Sequence, residues 1–320
     1  MERGARVYEG GVRFVCLFSI FLFLFTTASF ASTIEGSSVK QYDGLWFLGF
    51  NMHKDIFGND SGLSVRKAFN LAIDRAWIAK NIVHDDVVPN GPTPPGMLGY
   101  DADLKDYPYD LSKAKALMAS AGYPTSDKRL KTLMLLHTDG EKTVEIAKWI
   151  KRYLINLGVD LKLVQVKYSD YDAWEKELSS GKYHMFLMGY KPVLFDQILI
   201  GDKDTKVFHT INCGKIPSAE AQEFFGSYSD AIEHGYIPDE ACKPDKDGSF
   251  DAYDLLEPLF HSKGDANLTF YSNSRVDSLL DQLGEIDHVL KASRTQKLKD
   301  IASILVEDPP GVNIFYITKL

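Results

Sequence analysis

The stretch from residue 130 to 189 constrains this chain most, because apolar strand-like runs and amphipathic helical runs alternate there. Leu130 to His137 reads as a strand. Glu141 to Leu157 reads as a helix, with Val144, Ala147, Ile150, Leu154 and Ile155 near one stripe and Gly158 as its stop. Val159 to Val166 alternates as a second strand, Tyr171 to Leu178 returns to helical spacing, and Tyr183 to Met188 is a third strand. Such alternation predicts βαβ units with right-handed crossovers, and hence an α/β fold.

The flanks extend this pattern. Leu45 to Phe50 is apolar on both faces, as a central strand is. From Ser64, a suitable N-cap, the residues Val65, Ala68, Phe69, Ala72, Ile73, Ala76, Ala79, Ile82 and Val83 recur at helical steps. Arg66, Lys67, Asp74 and Arg75 fall mainly on the polar side. The four prolines of Val88 to Gly96 lack amide donors and predict a rigid surface crossing. A second helix starts at the N-cap Asp110 and stops at Gly122 and Pro124. Residues 197–262 are more polar and less regular, with a helix expected over Ala219 to His234. Val276 to Leu283 and Thr295 to Val306 read as helices, and the chain closes on the apolar run Val312 to Ile317.

At the start, Arg3, Arg6 and Arg13 accompany the apolar run Phe14 to Phe25, followed by Ala28-Ser29-Phe30-Ala31. This is the pattern of a secretory signal cleaved after Ala31. No later stretch reaches the ~18 consecutive apolar residues of a spanning helix. A soluble product in the periplasm or cell exterior is therefore expected. Of three cysteines, Cys213 and Cys242 survive cleavage. An oxidising compartment favours one disulfide between them, the alternative being two free thiols.

Several function classes drop out. Lys+Arg total 36 against 44 Asp+Glu, a net charge of −8, and no basic block offers the cations a nucleic-acid partner needs. The chain has no G-x-S-x-G, H-E-x-x-H or Walker motif, and its eight histidines lack ligand spacing. Neither a catalytic constellation nor a cofactor motif is present, so a non-enzyme is expected. Lys243 to Asp254 echoes a calcium loop through Asp245, Asp247, Gly248, Asp251 and Asp254. Lys243 occupies its first ligand position, however, which favours a polar turn over a calcium site.

One set of motifs is specific in combination. Gly49-Phe50-Asn51 is followed by Ser64-Val65-Arg66-Lys67-Ala68-Phe69-Asn70-Leu71-Ala72-Ile73-Asp74-Arg75, then by Pro89-Asn90-Gly91-Pro92 and Pro94-Pro95-Gly96-Met97. Tyr107-Pro108-Tyr109-Asp110, Lys113 to Met118 and Ala121-Gly122-Tyr123-Pro124 continue it, with weaker echoes as far as Pro309-Pro310. Together these resemble the solute-binding proteins of peptide and nickel ABC importers. Residues from about 200 to 250 fall outside the resemblance and read as an insertion.

The resemblance implies a periplasmic-binding-protein-like (type II) lobe, with a mixed sheet and flanking helices. The family's two-lobed clamshell closes on a peptide, dipeptide or metal chelate and delivers it to a membrane permease. The expected organisation is a signal peptide at 1–31 and, at 32–320, the C-terminal portion of such a protein, lacking the amino-terminal lobe. Val312 to Ile317, which in the family crosses to that lobe, is then expected to have no sheet to join. The implied partners are a peptide or small-molecule ligand, an ABC permease and a separate amino-terminal lobe. Ligands of α/β sheets bind beyond the carboxyl ends of strands, which points to Gly189, Tyr190 and the loop to Asp196. By resemblance Tyr190 stands at an aromatic ligand position, Asp196 at an acidic one that pairs a peptide ammonium, and His209 within reach of a metal chelate. On the residues alone, Tyr190 reads as a packing aromatic and Asp196 as a solvated loop carboxylate. The expected function is an exported, non-catalytic substrate-binding component for di- or oligopeptides. The alternatives are nickel or metal-chelate binding, or a structural protein that reuses one lobe as a docking surface.

Overall fold

Strand β1 (Tyr42–Phe50) is buried along both faces, and the rest of the fold is arranged around it. The computed structural model describes Lys40 and residues 42–192, 199–210, 213–225, 228–242, 251–286 and 290–318. The expected signal segment lies outside the described residues. After β1 come α1 (Asp55–Gly58), α2 (Gly62–Ala72) and α3 (Arg75–Ile78), the last running into a π-turn at Ala79–Val83. Helix α4 (Leu111–Ser120) precedes the alternating segment: β2 (Met134–Thr138), α5 (Glu141–Leu154), β3 (Lys162–Val166), α6 (Tyr171–Ser179) and β4 (Met185–Tyr190). A second region holds β5 (Leu199–Asp202), β6 (Val207–Thr210), β7 (Gln222–Phe225), α7 (Tyr228–Glu233) and β8 (Ile237–Pro238). The chain returns through α8 (Tyr253–Phe260), α9 (Ser274–Glu285) and α10 (Lys291–Glu307) to β9 (Gly311–Thr318).

The main sheet has the order β3-β2-β4-β1-β9. Strands β2, β3 and β4 are parallel, and β1 is antiparallel to both β4 and β9. Alternate residues feed two cores. Leu48 and Phe50 join Leu135, Leu187, Val312 and the apolar faces of α2, α4 and α5 on one side. Leu45 and Phe47 join Leu136, Phe186, Tyr316 and the faces of α8, α9 and α10 on the other. This gives a sheet between two helical layers, as its continuously apolar strands require.

Five expectations are corrected. The last apolar run is not without a sheet: β9 pairs along β1, whose second edge accepts it. The helix expected from Ser64 starts earlier and breaks at Ile73, which is extended. The Asp74 side chain then accepts the Trp77 amide at 2.9 Å and caps a new start. Arg66 and Arg75 are not on a polar face but buried, at 8% and 5% exposure. Arg66 binds the Pro309 carbonyl at 3.1 Å and Asp308 at 2.8 Å, while Arg75 binds Asp106 and the carbonyls of Pro89 and Tyr107. The proline-rich crossing is likewise largely buried, since Pro89, Gly91, Pro92, Thr93 and Pro94 are covered. It is fastened by Arg75 and by the Tyr316 hydroxyl, which donates to the Gly91 carbonyl at 2.9 Å. Finally, Ala219 to His234 is not one helix. It holds a 3-10 turn, β7 and the short α7, because Gln222–Phe225 finds a ladder on the edge of β5.

The second sheet, β7-β5-β6-β8, packs on a small core of Leu199, Phe208, Phe225, Ala231 and Tyr236. Strands β6 and β8 run parallel, with Val207 beside Ile237.

Candidate functional site

Parallel strands deliver their carboxyl ends to one edge, so Thr138, Val166 and Tyr190 emerge together. Strands β3 and β4 flank β2 on opposite sides. Helix α5 packs in one core, and α6, through Trp174 and Leu178, in the other. The connections therefore diverge at the β2–β4 boundary, the kind of switch point at which α/β sheets open a ligand crevice. Strand β1 begins at this same edge, because Leu45 pairs with Tyr190.

Asp43 lies there. It sits where the β1–β9 register shifts between Tyr42 and Gly44, a bulge that re-aims its side chain. One carboxylate oxygen, Oδ2, pairs with Lys191 Nζ at 2.7 Å. The other, Oδ1, is buried without a hydrogen-bond partner among the described residues, which is costly for a carboxylate. After β2, two strands away across the sheet, Asp139 accepts the Tyr168 amide at 2.7 Å. An open groove beside α5 is lined by Asp139, Glu141, Lys148, Trp149, Arg152 and Gln165.

Tyr190 is half-buried and packs against the core under α8 and α9. Burial, then the charges of Glu257, Asp254 and Asp265, push its phenol up to about 12, so it stays a protonated donor. Asp196 lies outside the described residues. His209 lies on β6 in the second sheet, with Nδ1 3.4 Å from Cys242 Sγ, 3.6 Å from Cys213 Sγ and 3.7 Å from the Asp239 carboxylate. Cys213 and Cys242 are joined by a disulfide, with Cα atoms 5.6 Å apart. The structure thus gathers His209 with the cysteines and places Tyr190 at the main sheet's edge with Asp43. The sequence held no signal for Asp43, since only the register of β9 reveals its bulge. Most of the calcium-like loop lies outside the described residues. Of its carboxylates, Asp251 holds Arg294 at 2.6 Å, both side chains being 1% exposed.

A sheet between two helical layers, with its parallel strands ending at a switch point and two antiparallel strands meeting at that edge, is the fold of the type II periplasmic peptide-binding proteins. The chain belongs to the bacterial extracellular solute-binding proteins, family 5, whose middle-region model matches residues 25–198. It is 27% identical over 157 residues to a di/tripeptide-binding protein 2 of Pseudomonas aeruginosa, covering 49% of this chain and 28% of that protein. It is 31% identical over 144 residues to a heme-binding protein A of Haemophilus influenzae, covering 42% of this chain and 25% of that one. Among solved structures, the oligopeptide-binding protein AppA of Bacillus subtilis in complex with a nonapeptide matches with a TM-score of 0.59 at 18% identity. That match covers 87% of this chain and 45% of AppA. The chain therefore spans about a quarter of the curated relatives and under half of the solved one. Among the described residues no helix is long and apolar enough to cross a membrane.

Proposed function

We propose that this chain acts as an exported, non-catalytic substrate-binding component of an ABC importer for di- or oligopeptides. In this reading the ligand's ammonium end is held at the switch-point edge. The observation that carries it is the buried Oδ1 of Asp43, without a partner among the described residues, at the sheet end where the half-buried, protonated Tyr190 also emerges. A peptide amino terminus brings both the positive charge and the N–H donors that this oxygen lacks. Asp196, on the loop after β4, supplies a second carboxylate in this reading. An amino-terminal lobe would supply the opposing jaw, and a membrane permease would receive the ligand. The relatives support a peptide cargo, with a di/tripeptide-binding protein and a nonapeptide complex among them. The docking-surface alternative draws on an unpaired last strand and on the 197–262 insertion; β9 is paired, which removes the first of these grounds.

The test is isothermal titration with mixed di- and tripeptides and their N-acetylated counterparts, on the chain alone and with a candidate amino-terminal lobe added. Free peptides are expected to bind, and N-acetylation or Asp43→Asn to weaken them at least about tenfold, as loss of a charge-assisted hydrogen bond does. Binding in neither condition, or equal affinity for acetylated peptides, overturns the reading.

A further inference from the structure

The second sheet carries four metal-ligating side chains that the peptide reading does not use. His209 lies near the end of β6, and the Cys213 amide donates to the Thr210 carbonyl at 3.0 Å. Asp239 follows β8, its amide donating to the Phe208 carbonyl at 2.9 Å. Its Oδ1 accepts the amides of Ala241 at 2.8 Å and Cys242 at 3.0 Å, a local turn that folds Cys242 back over His209. Because β6 and β8 are parallel neighbours, their ends deliver an H-x-x-x-C pair and a D-x-x-C pair to one point. One ligand atom from each of the four residues lies within 4.8 Å of every other.

We propose that this cluster, in its dithiol form, binds one zinc-like divalent cation through Cys213 Sγ, Cys242 Sγ, His209 Nδ1 and the Asp239 carboxylate. Metal and disulfide are then alternative closures of the same staple. The geometry carries the claim. A tetrahedral zinc with ordinary bond lengths sets S···N edges of ~3.6 Å, an S···O edge of ~3.5 Å and an N···O edge of ~3.3 Å. The corresponding separations here are 3.4 and 3.6 Å for Nδ1 to the two sulfurs, 3.4 Å for Cys242 Sγ to Asp239 Oδ1, and 3.7 Å for Nδ1 to Oδ2. The S–S edge, now a covalent bond, has to open to ~3.8 Å, while the Cys213 Sγ–Asp239 oxygen separation lies within 4.8 Å, against the ~3.5 Å a tetrahedral site needs. Two sulfurs and an imidazole select zinc and its neighbours over calcium or magnesium. One cation competes: Lys215 Nζ lies 3.5 Å from Asp239 Oδ2, on a side chain 62% exposed and free to withdraw.

The chemistry balances with a stated reductant. A phosphine and one water reduce the disulfide by two electrons, giving two thiols and a phosphine oxide. Each thiol then gives its proton to solvent as the metal binds its thiolate. The fold also has a need for such a closure. Among the described residues the apolar cluster under this sheet has five buried side chains, and β8 is two residues long. A unit that small is held together by a cross-link rather than by apolar burial alone.

The test uses the full chain in a Cys16→Ser background, reduced with a phosphine and kept anaerobic. It is titrated with zinc against a chromophoric chelator and with cobalt as a spectroscopic probe. One metal per reduced chain is expected, with thiolate charge-transfer and tetrahedral d–d bands for cobalt, and no uptake by the oxidised chain. His209→Gln and Asp239→Asn should each lower zinc affinity by at least about tenfold. Unchanged melting of these two variants in the oxidised state assigns the loss to the ligand rather than to the fold. Cys213→Ser with Cys242→Ser should remove the charge-transfer band. A reduced chain that takes up no zinc, an oxidised chain that binds as well as the reduced one, or a double variant of unchanged affinity overturns the proposal.

Discussion

Replacing Arg75 with methionine tests what the motif from Val65 to Arg75 is for. The Arg75 guanidinium is buried against Asp106, whose side chain is 7% exposed, and also donates to the carbonyls of Pro89 and Tyr107. Methionine fills much of the volume but strands a buried carboxylate and two carbonyls. Asp106 keeps one donor, the Tyr107 amide at 2.7 Å. One-sided removal of a buried ion pair costs about 3–5 kcal/mol, and the retained donor puts this case near the lower end. Reversible urea unfolding read by tryptophan emission is the assay, because Trp77 lies two residues away and packs against Trp149, with ring centroids 3.8 Å apart and planes tilted by 40°. Arg75→Lys keeps the charge but not the fork that spans three acceptors, so it should recover only part of the loss. Arg75→Met combined with Asp106→Asn should cost at least about 1 kcal/mol less than the sum of the single changes. A loss below about 1 kcal/mol for Arg75→Met, or strict additivity, would refute the view that this arginine fastens the proline-rich crossing.

His184 is held at about 4 by burial and by the charge of Lys54, and its neutral Nδ1 accepts the Met134 amide at 3.2 Å. Its folded value is depressed, so its stabilisation is complete above about pH 6.5 and fades as pH falls toward 4, by up to about 3 kcal/mol. Unfolding midpoints at pH 7 and pH 4.5 should show this loss in the parent and a smaller one in His184→Gln. Reducing Cys213–Cys242, which closes a separation of 29 residues, should destabilise the second sheet by about 3–4 kcal/mol in the absence of metal. Hydrogen exchange should then quicken in β6 and β8 but not in β2 and β4. Tyr316→Phe deletes the donor to the Gly91 carbonyl and should cost about 1 kcal/mol in urea unfolding.

The parts legible in the sequence are those decided within a turn or two of helix. Helix α4 starts where Asp110 accepts the Lys113 amide at 2.9 Å, and the helix over Glu141 to Leu157 stops where Gly158 takes φ 84°. The β2-α5-β3-α6-β4 alternation follows from local periodicity, which burial on two layers then satisfies. What was not legible depends on partners distant in the chain. Arg66 and Arg75 look like polar-face cations until the carbonyls of Pro309, Pro89 and Tyr107 arrive beside them. Gln222–Phe225 has no period that separates strand from helix, and the free edge of β5 decides it. His209, Cys213, Asp239 and Cys242 show no metal spacing, since two parallel strand ends bring them together.

The same distance-dependence governs how the candidate site is positioned. Asp43 is placed by three strands: β1 carries it, the register of β9 makes the bulge, and Lys191 after β4 holds one of its oxygens. Gly44 sets how closely these strands approach, because a Cβ there would lie 2.6 Å from the Tyr190 carbonyl oxygen and 3.2 Å from Lys191 Cα. Both are backbone atoms with no rotamer to yield, so only glycine lets β1 and β4 close at this point. An unpaired buried oxygen persists only where surrounding packing denies it relaxation toward water or a new partner. Here the bulge, the Lys191 pair and the Gly44 contact hold Asp43 in place together, which in the proposed reading leaves the donor to come from the peptide.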